Sequence, residues 1–288
     1  MTETEARTVP FVEQHVDRVV DVDGLRLHYT DWNPDGEHTI VMLHGLNVQA
    51  HTWDPIASVL SASSRVICPD LRGHGESDWS RDGYWTRDFV NDLRRLVRSA
   101  GVSTFALVGH SLGARISIAY AGEHPETLTH LILSDTGPET PASTARKRGQ
   151  AMASNGSVRG FRDWSEVLEH YRGEHPEWKP VFHELHADYQ VRKNWAGKLV
   201  LRADPDLFWI LRGAGLKETS YLWEMAARAD VPALVVYGET SEFMDEGLVA
   251  RMRAVMPQAS ARRFRTGHYV PREDPDGFIA AVREFVGR

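Results

Sequence analysis

Short apolar runs recur along this chain, and amphipathic stretches fill the spaces between them. Thr39–Leu43 (TIVML), Val66–Cys68, Phe105–Val108 (FALV), Leu128–Ser134 (LTHLILS) and Val231–Tyr237 (VPALVVY) are nearly continuous in apolar character, as strands buried on both faces must be. Ala259–Phe264 adds a further strand. Upstream, Val16–Val22 and Leu25–Asp31 flank Asp23-Gly24, the dipeptide of a tight hairpin turn. Helices are expected over Thr52–Leu60, Thr86–Ala100, Ala114–Glu123, Glu246–Met256 and Pro275–Val286. The clearest stripe is Phe89, Val90, Leu93, Leu96 and Val97, with Thr86 as N-cap and Gly101 as stop. Pro125 and Pro257 end two of the others. Residues 1–14 are polar and aperiodic, and read as a loose arm.

Strands and helices alternate from 39 to 134, which predicts a mostly parallel sheet covered on both faces. The alternation breaks after Asp135. Residues 136–229 read as helical and aromatic, holding Trp164, Trp178, Trp195, Trp209 and Trp223, five of the nine tryptophans. Alternation resumes at Val231. The economical reading is an α/β fold with a mostly parallel eight-stranded sheet flanked by helices and a helical segment inserted after the sixth strand. It divides into 1–136, the insertion 137–228, and 229–288.

Composition narrows the field. At 288 residues the chain has room for one large α/β domain with an insertion. A formal net charge of −7 removes the electrostatic case for nucleic acid or an anionic membrane as partner. The one cysteine, Cys68, excludes an intrachain disulfide and a cysteine-based metal site, and its apolar strand makes it buried filler. The N-terminal stretch lacks a basic-then-apolar signal pattern and no apolar run approaches a membrane span, so a cytoplasmic protein is expected. The expected partner is a small-molecule substrate, met by a monomer or homodimer.

The candidate chemistry centres on Gly109-His110-Ser111-Leu112-Gly113, a G-x-S-x-G pentapeptide between the FALV strand and the helix that follows. A serine on such a sharp turn projects its Oγ into a cleft. The positions two before and two after must be small, because strand and helix nearly touch there. The turn also sets the Leu112 N–H at a helix N-terminus, where a developing oxyanion is stabilised. A serine nucleophile needs a base and a group to orient it. His268, on a loop before the last helix, is the best of fourteen histidines, and the chain order serine, acid, histidine suits an elbow of this kind. Two carboxylates compete to orient it: Asp135 at the end of the strand after the elbow helix, and Glu242 after the strand that follows the insertion.

Three further segments have candidate roles. His44-Gly45-Leu46 offers the Leu46 N–H as a second oxyanion donor, with His44 bracing the loop. The loop Asp70–Ser77 lacks a Walker lysine and its spacing, so its glycines read as turn geometry rather than a phosphate cradle. His183 and His186 share one helix face, but with no third ligand they read as surface of the insertion rather than a metal site.

Taken together, these segments resemble the α/β-hydrolase superfamily, in particular its lid-bearing hydrolases of esters, lactones, amides and C–C bonds. The matches are Leu43-His44-Gly45, the D-x-R-G-H-G-x-S loop (Asp70 to Ser77), the GHSLG elbow, D-x-G-P at Asp135, Gly137 and Pro138, and Gly267-His268. The resemblance implies a Ser-His-acid triad, a lid over roughly residues 137–228, and no cofactor or metal. One departure concerns the acid. Many members carry an aspartate where this chain has Ser241; a subset, including an acetamidomethylene-succinate amidohydrolase, places it at the Asp135 position. Asp135 is therefore the first choice and Glu242 the alternative. A serine at the elbow excludes epoxide hydrolase and haloalkane dehalogenase chemistry, which needs a carboxylate there.

The implied function is hydrolysis of a carboxylic ester, lactone or amide through Ser111, His268 and Asp135, with Leu46 and Leu112 as oxyanion donors. Trp164, Trp209 and Trp223 would line the substrate site, favouring an apolar or aromatic small molecule. Cleavage of a C–C bond in a dioxo-acid is the alternative within the class. Outside it stand a slow-turnover ligand receptor and cofactor-free oxygenase or perhydrolase chemistry.

Overall fold

The computed structural model describes residues 14–141, 144, 147, 160–207, 210 and 217–287. The polar arm up to residue 13 and Trp209 lie outside the described residues. Strands β1 (His15–Val22), β2 (Leu25–Trp32), β3 (Thr39–Leu43), β4 (Arg65–Pro69), β5 (Phe105–His110), β6 (Leu128–Ser134), β9 (Ala233–Gly238) and β10 (Ala259–Phe264) form one eight-stranded sheet. Its order is β1-β2-β4-β3-β5-β6-β9-β10. The pairs from β4 to β10 are parallel; β2 pairs antiparallel with both β1 and β4.

Period-two alternation within the apolar runs builds two cores, one on each face. Val41, Leu43, Leu107, Leu131 and Val235 join one cluster, and Ile40, Met42, Ala106, Val108, Ile132 and Val236 the other. Helices α2 (Thr86–Ser99) and α3 (Leu112–Glu123) cover the first face; α1 (Asp54–Leu60) and α9 (Pro275–Val286) cover the second. Near 25 cal/mol per Å² of buried apolar surface, this two-sided burial is the main source of stability.

The helix ends differ in detail from the sequence reading. A 3-10 turn over Ala50–Trp53 precedes α1, whose start at Asp54 is fixed by Pro55 in its first turn, where the missing N–H costs nothing. Thr86 does not cap α2: its N–H and Oγ1 both donate to Glu218, 2.9 and 2.7 Å away, and Trp85 holds the cap position. Gly101 does close the helix, at a φ of +73°.

Between β6 and β9 the chain makes α4 (Trp164–Glu174), α5 (Pro180–Tyr189), the antiparallel pair β7 (Val191–Lys193) and β8 (Leu199–Leu201), and α6 (Thr219–Arg228). The small sheet was not expected from a pattern that reads as helical throughout; its strands are too short to show a period. α6 joins the first large core through Leu222, Met225 and Ala226, and two small clusters support the part from α4 to β8. One joins Val167, Tyr171, Ala187, Val191 and Leu199, the other Trp178, Phe182 and Leu185, with Tyr269 packed against the second. His183 and His186 are buried, not on the surface: His183 Nε2 faces the His175 carbonyl at 2.8 Å, and His186 Nδ1 donates to the Phe182 carbonyl.

Candidate active site

Strand β5 runs into α3 with no room to spare. A Cβ at Gly109 would sit 2.4 Å from the Gly113 carbonyl oxygen, and one at Gly113 would sit 2.3 Å from that of Leu43. Ser111 therefore turns the chain alone, at φ +55° and ψ −116°. That region is strained for a residue with a side chain, at a cost of order 1–3 kcal/mol. The strain is locked by neighbours: Ser111 N–H donates to the Ser134 carbonyl on β6, and the Ser111 carbonyl accepts from Ala114.

Asp135 is another non-glycine at positive φ at this edge of the sheet, at φ +53° just past β6. Its N–H donates to the Val236 carbonyl. Its carboxylate is fully buried; Oδ1 accepts from the Gly238 N–H at 2.8 Å, and Oδ2 accepts from Ser241 Oγ and from His268 Nδ1, the last at 2.7 Å. Burial pushes this carboxyl up to about 7, against the pull of the Ser241 hydroxyl and the Gly238 N–H. His268 Nε2 lies 3.1 Å from Ser111 Oγ. With Asp135 ionised, Nδ1 must carry the imidazole hydrogen, which leaves Nε2 free to accept one.

Of the two carboxylates left open by the sequence, Asp135 meets the imidazole. Glu242 turns outward, its Oε1 3.6 Å from Lys147 Nζ with over half its side chain exposed, while its carbonyl accepts from Thr144. Ser241 occupies the place where an acid was looked for, and instead hydrogen-bonds the acid that meets His268.

The loop after β3 passes against the serine: a Cβ on Gly45 would lie 3.2 Å from Ser111 Cβ. Leu46, next in that loop, packs on the core, and Leu112 opens α3, where N–H groups have no intrahelical acceptor. His44 is tied at both ring nitrogens, Nδ1 to the Gly45 carbonyl and Nε2 to the Leu71 N–H, and burial pulls its pKa down to about 4. It is a neutral brace. The loop from Asp70 is likewise structural: Asp70 accepts from Ala50, Glu76 and His28, and Ser77 Oγ donates back to the Asp70 carbonyl.

The rings packed on His268 include Phe243, stacked at 4.0 Å, with His110 and Tyr269 at 4.9 and 5.0 Å. Sequence reasoning missed Phe243; its only signal was an aromatic two residues past Ser241. Of the tryptophans singled out earlier for the site, two are among the described residues. Trp164 packs on the Val167 cluster, and Trp223 packs on the core, with its indole donating to Glu139. Trp195 is 98% exposed. Trp178, not singled out for the site, packs its ring on Tyr269 at 5.0 Å.

Among the described residues, His15, Asp17 and His51 bring metal-ligand atoms within 4.8 Å of one another. His28 opposes a cation there. Burial disfavours its charge, but Asp17 and Asp70 outweigh burial and hold it protonated, up to about 10. No helix among the described residues is long and apolar enough to cross a membrane.

Comparison with known proteins gives a consistent result. The profile of the alpha/beta hydrolase fold matches residues 38–275. A 3-hydroxybutyrate-oligomer hydrolase of Cupriavidus necator is 27% identical over 273 residues, covering 91% of this chain and 93% of that protein. A 2-(acetamidomethylene)succinate hydrolase of Mesorhizobium japonicum is 25% identical over 277 residues, covering 95% and 96%. A solved E-2-(acetamidomethylene)succinate hydrolase superposes with a TM-score of 0.85 at 24% identity, covering 95% of this chain and 100% of that one.

Proposed function

Because the chain belongs to the α/β-hydrolase-fold family, we propose that it is a serine hydrolase acting on a carboxylic ester, lactone or amide through an acyl-enzyme. The observation that carries this reading is the hydrogen-bonded line from Ser111 Oγ through His268 to the buried Asp135. His268 Nε2 takes the Ser111 proton as Oγ attacks the carbonyl carbon. Asp135 holds the imidazole in its working tautomer and stabilises the cation that forms. The Leu46 and Leu112 N–H groups receive the oxyanion. His268 then protonates the leaving group, and water, deprotonated by the same nitrogen, releases the acid.

The insertion between β6 and β9 serves as the lid of this site. Phe243 and Tyr269 on the imidazole favour a substrate with an apolar or aromatic body. Phenyl and medium-chain esters should therefore outperform acetate and short hydrophilic amides; the reverse ranking would remove the substrate part of the proposal.

The test is labelling with a fluorophosphonate, followed by peptide mass spectrometry. An adduct on Ser111 that is lost in His268→Ala is the expected result. Folded protein that takes up no label has no activated serine, and would be read instead as a ligand receptor on the same scaffold.

A further inference from the structure

Arg272 lies four residues past His268, in the short helix α8 (Val270–Glu273). It is 3% exposed, yet among the described residues no carboxylate lies against its guanidinium. Two half-buried arginines are paired with carboxylates: Arg72 grips Asp92 with two bonds of 2.6 Å, and Arg65 grips Asp31 with two of 2.8 and 2.9 Å. Arg272 has aromatic faces instead. Its Cζ lies 4.3 Å from the Trp178 ring centroid and 5.1 Å from that of Tyr269. Burial lowers its pKa to about 10, and the groups that offset burial are the hydroxyls of Tyr269 and Tyr171.

Polar atoms without partners gather around it. Arg272 Nη1, Trp178 Nε1 and His186 Nε2 are all buried and make no hydrogen bond. Trp178 and His186 are ring neighbours at 4.8 Å. His186 donates through Nδ1 to the Phe182 carbonyl, so its Nε2 is an acceptor. The cluster thus offers a cation and an indole N–H, both donors, beside one acceptor. It adjoins the reacting groups: the Tyr269 ring spans from Arg272 to His268, and the Arg272 charge reaches His44 on the loop beside Ser111.

A buried cation left unpaired is strongly unfavourable, and ring faces only partly replace an anion. A planar guanidinium fork matches a carboxylate with two parallel bonds. We propose that Arg272 is the anion-binding residue of this active site, and that the substrates are esters or amides whose apolar body carries a carboxylate remote from the scissile bond. Arg272 Nη1 and Trp178 Nε1 donate to that carboxylate; His186 Nε2 accepts from a hydroxyl or amide N–H on the same molecule. This rests on the hydrolase reading for the reaction, but not for the binding.

The experiment uses the mono-p-nitrophenyl esters of succinate, glutarate and adipate, each paired with its methyl-capped, neutral counterpart. Wild type should prefer the charged member of at least one pair by roughly 10- to 100-fold in kcat/KM. Arg272→Met should abolish that preference, and Arg272→Lys, which keeps the charge without the fork, should retain part of it. Wild type favouring the neutral member at all three lengths would overturn the proposal. So would variants that lower both members of a pair equally, the mark of a merely structural arginine.

Binding is read separately, as the rise in melting temperature that succinate, glutarate or adipate produces over sodium chloride of equal ionic strength. A rise in wild type and in Ser111→Ala, absent in Arg272→Met, supports the site even if no ester is hydrolysed and Ser111 takes no label. In that outcome the hydrolase reading fails alone. No rise with any of the three in wild type overturns the anion site, whatever the esters do, and needs no variant to fold.

Discussion

The sheet and the insertion are stabilised by different means. In the sheet, each strand puts alternate apolar residues into two large cores, and the polar groups that matter, Ser111 and Asp135, stand at strand ends. In the insertion, α6 joins the first large core through Leu222, Met225 and Ala226, but the part from α4 to β8 has two small clusters, and its interior is shared among Trp178, Tyr171, His183, His186 and, from the core side, Arg272. A large apolar core positions a few atoms firmly, which suits bond making. A small interior rich in rings and unpaired polar atoms is less costly to rearrange, which suits recognition.

That contrast is broken most directly at the proposed nucleophile. Ser111→Ala should lower kcat by roughly 10⁵- to 10⁶-fold while leaving the melting temperature close to wild type. A loss under about tenfold would remove Ser111 from the chemistry.

Asp135→Asn should lower kcat by roughly 10⁴-fold, because the amide cannot hold Nδ1–H in place. Its stability should move the other way. The native carboxyl titrates near 7, above an unfolded value of about 3.9, so the native state binds its proton more tightly. Wild type therefore loses stability from this group as pH rises from about 4 to about 7. The asparagine variant lacks that loss, so its melting temperature relative to wild type should climb between pH 4 and pH 8. A flat difference would show that the buried carboxyl is not held up.

The two interiors can be compared with one matched deletion. Val235 in β9 and Val167 in α4 are both fully buried. Val235→Ala should lower global stability by about 2 kcal/mol. Val167→Ala should shift global unfolding less and instead speed hydrogen exchange locally, over 164–201. Equal global shifts would mean that the insertion is as cooperative with the sheet as β9 is.

The smaller effects sit around the acid. Ser241→Ala removes a donor that holds the Asp135 carboxyl down, so the acid limb of the pH–rate profile should move upward. We expect kcat/KM to fall by roughly three- to tenfold, the worth of one hydrogen bond to a charged group that keeps other partners. Glu242→Gln should change kcat/KM less than about twofold, since its side chain meets Lys147 rather than His268. A large loss there would return Glu242 to the site.

The legibility of the sequence follows the same division. The sheet was readable because a strand buried on both faces must be continuously apolar, and because Gly109 and Gly113 have a steric reason to be where they are. The strand ends offered both Asp135 and Glu242, and only the resemblance ranked Asp135 first. Phe243, Ser241 and Arg272 were not readable, since their roles depend on which loops meet at the sheet edge, and no local pattern records that. His183 and His186 misled for a related reason: a polar side chain is read as exposed until its buried carbonyl partner is known. The β7–β8 pair was too short to carry a period against a helical background.

One property of the sheet bears on how such a chain can change. β6 and β9 are neighbours in register, Leu131 beside Ala233 through Ser134 beside Val236, although everything from α4 to α6 is threaded between them. The two stubs of that excursion are pinned by the site itself, where Asp135 N–H holds Val236 and its carboxylate holds Gly238. Closing a longer or shorter excursion across that fixed gap differs by only about 0.6 kcal/mol per doubling of its length. The length of the segment between Asp135 and β9 is therefore a weakly constrained quantity, whereas α6, packed on the elbow helix α3, is not free to change with it.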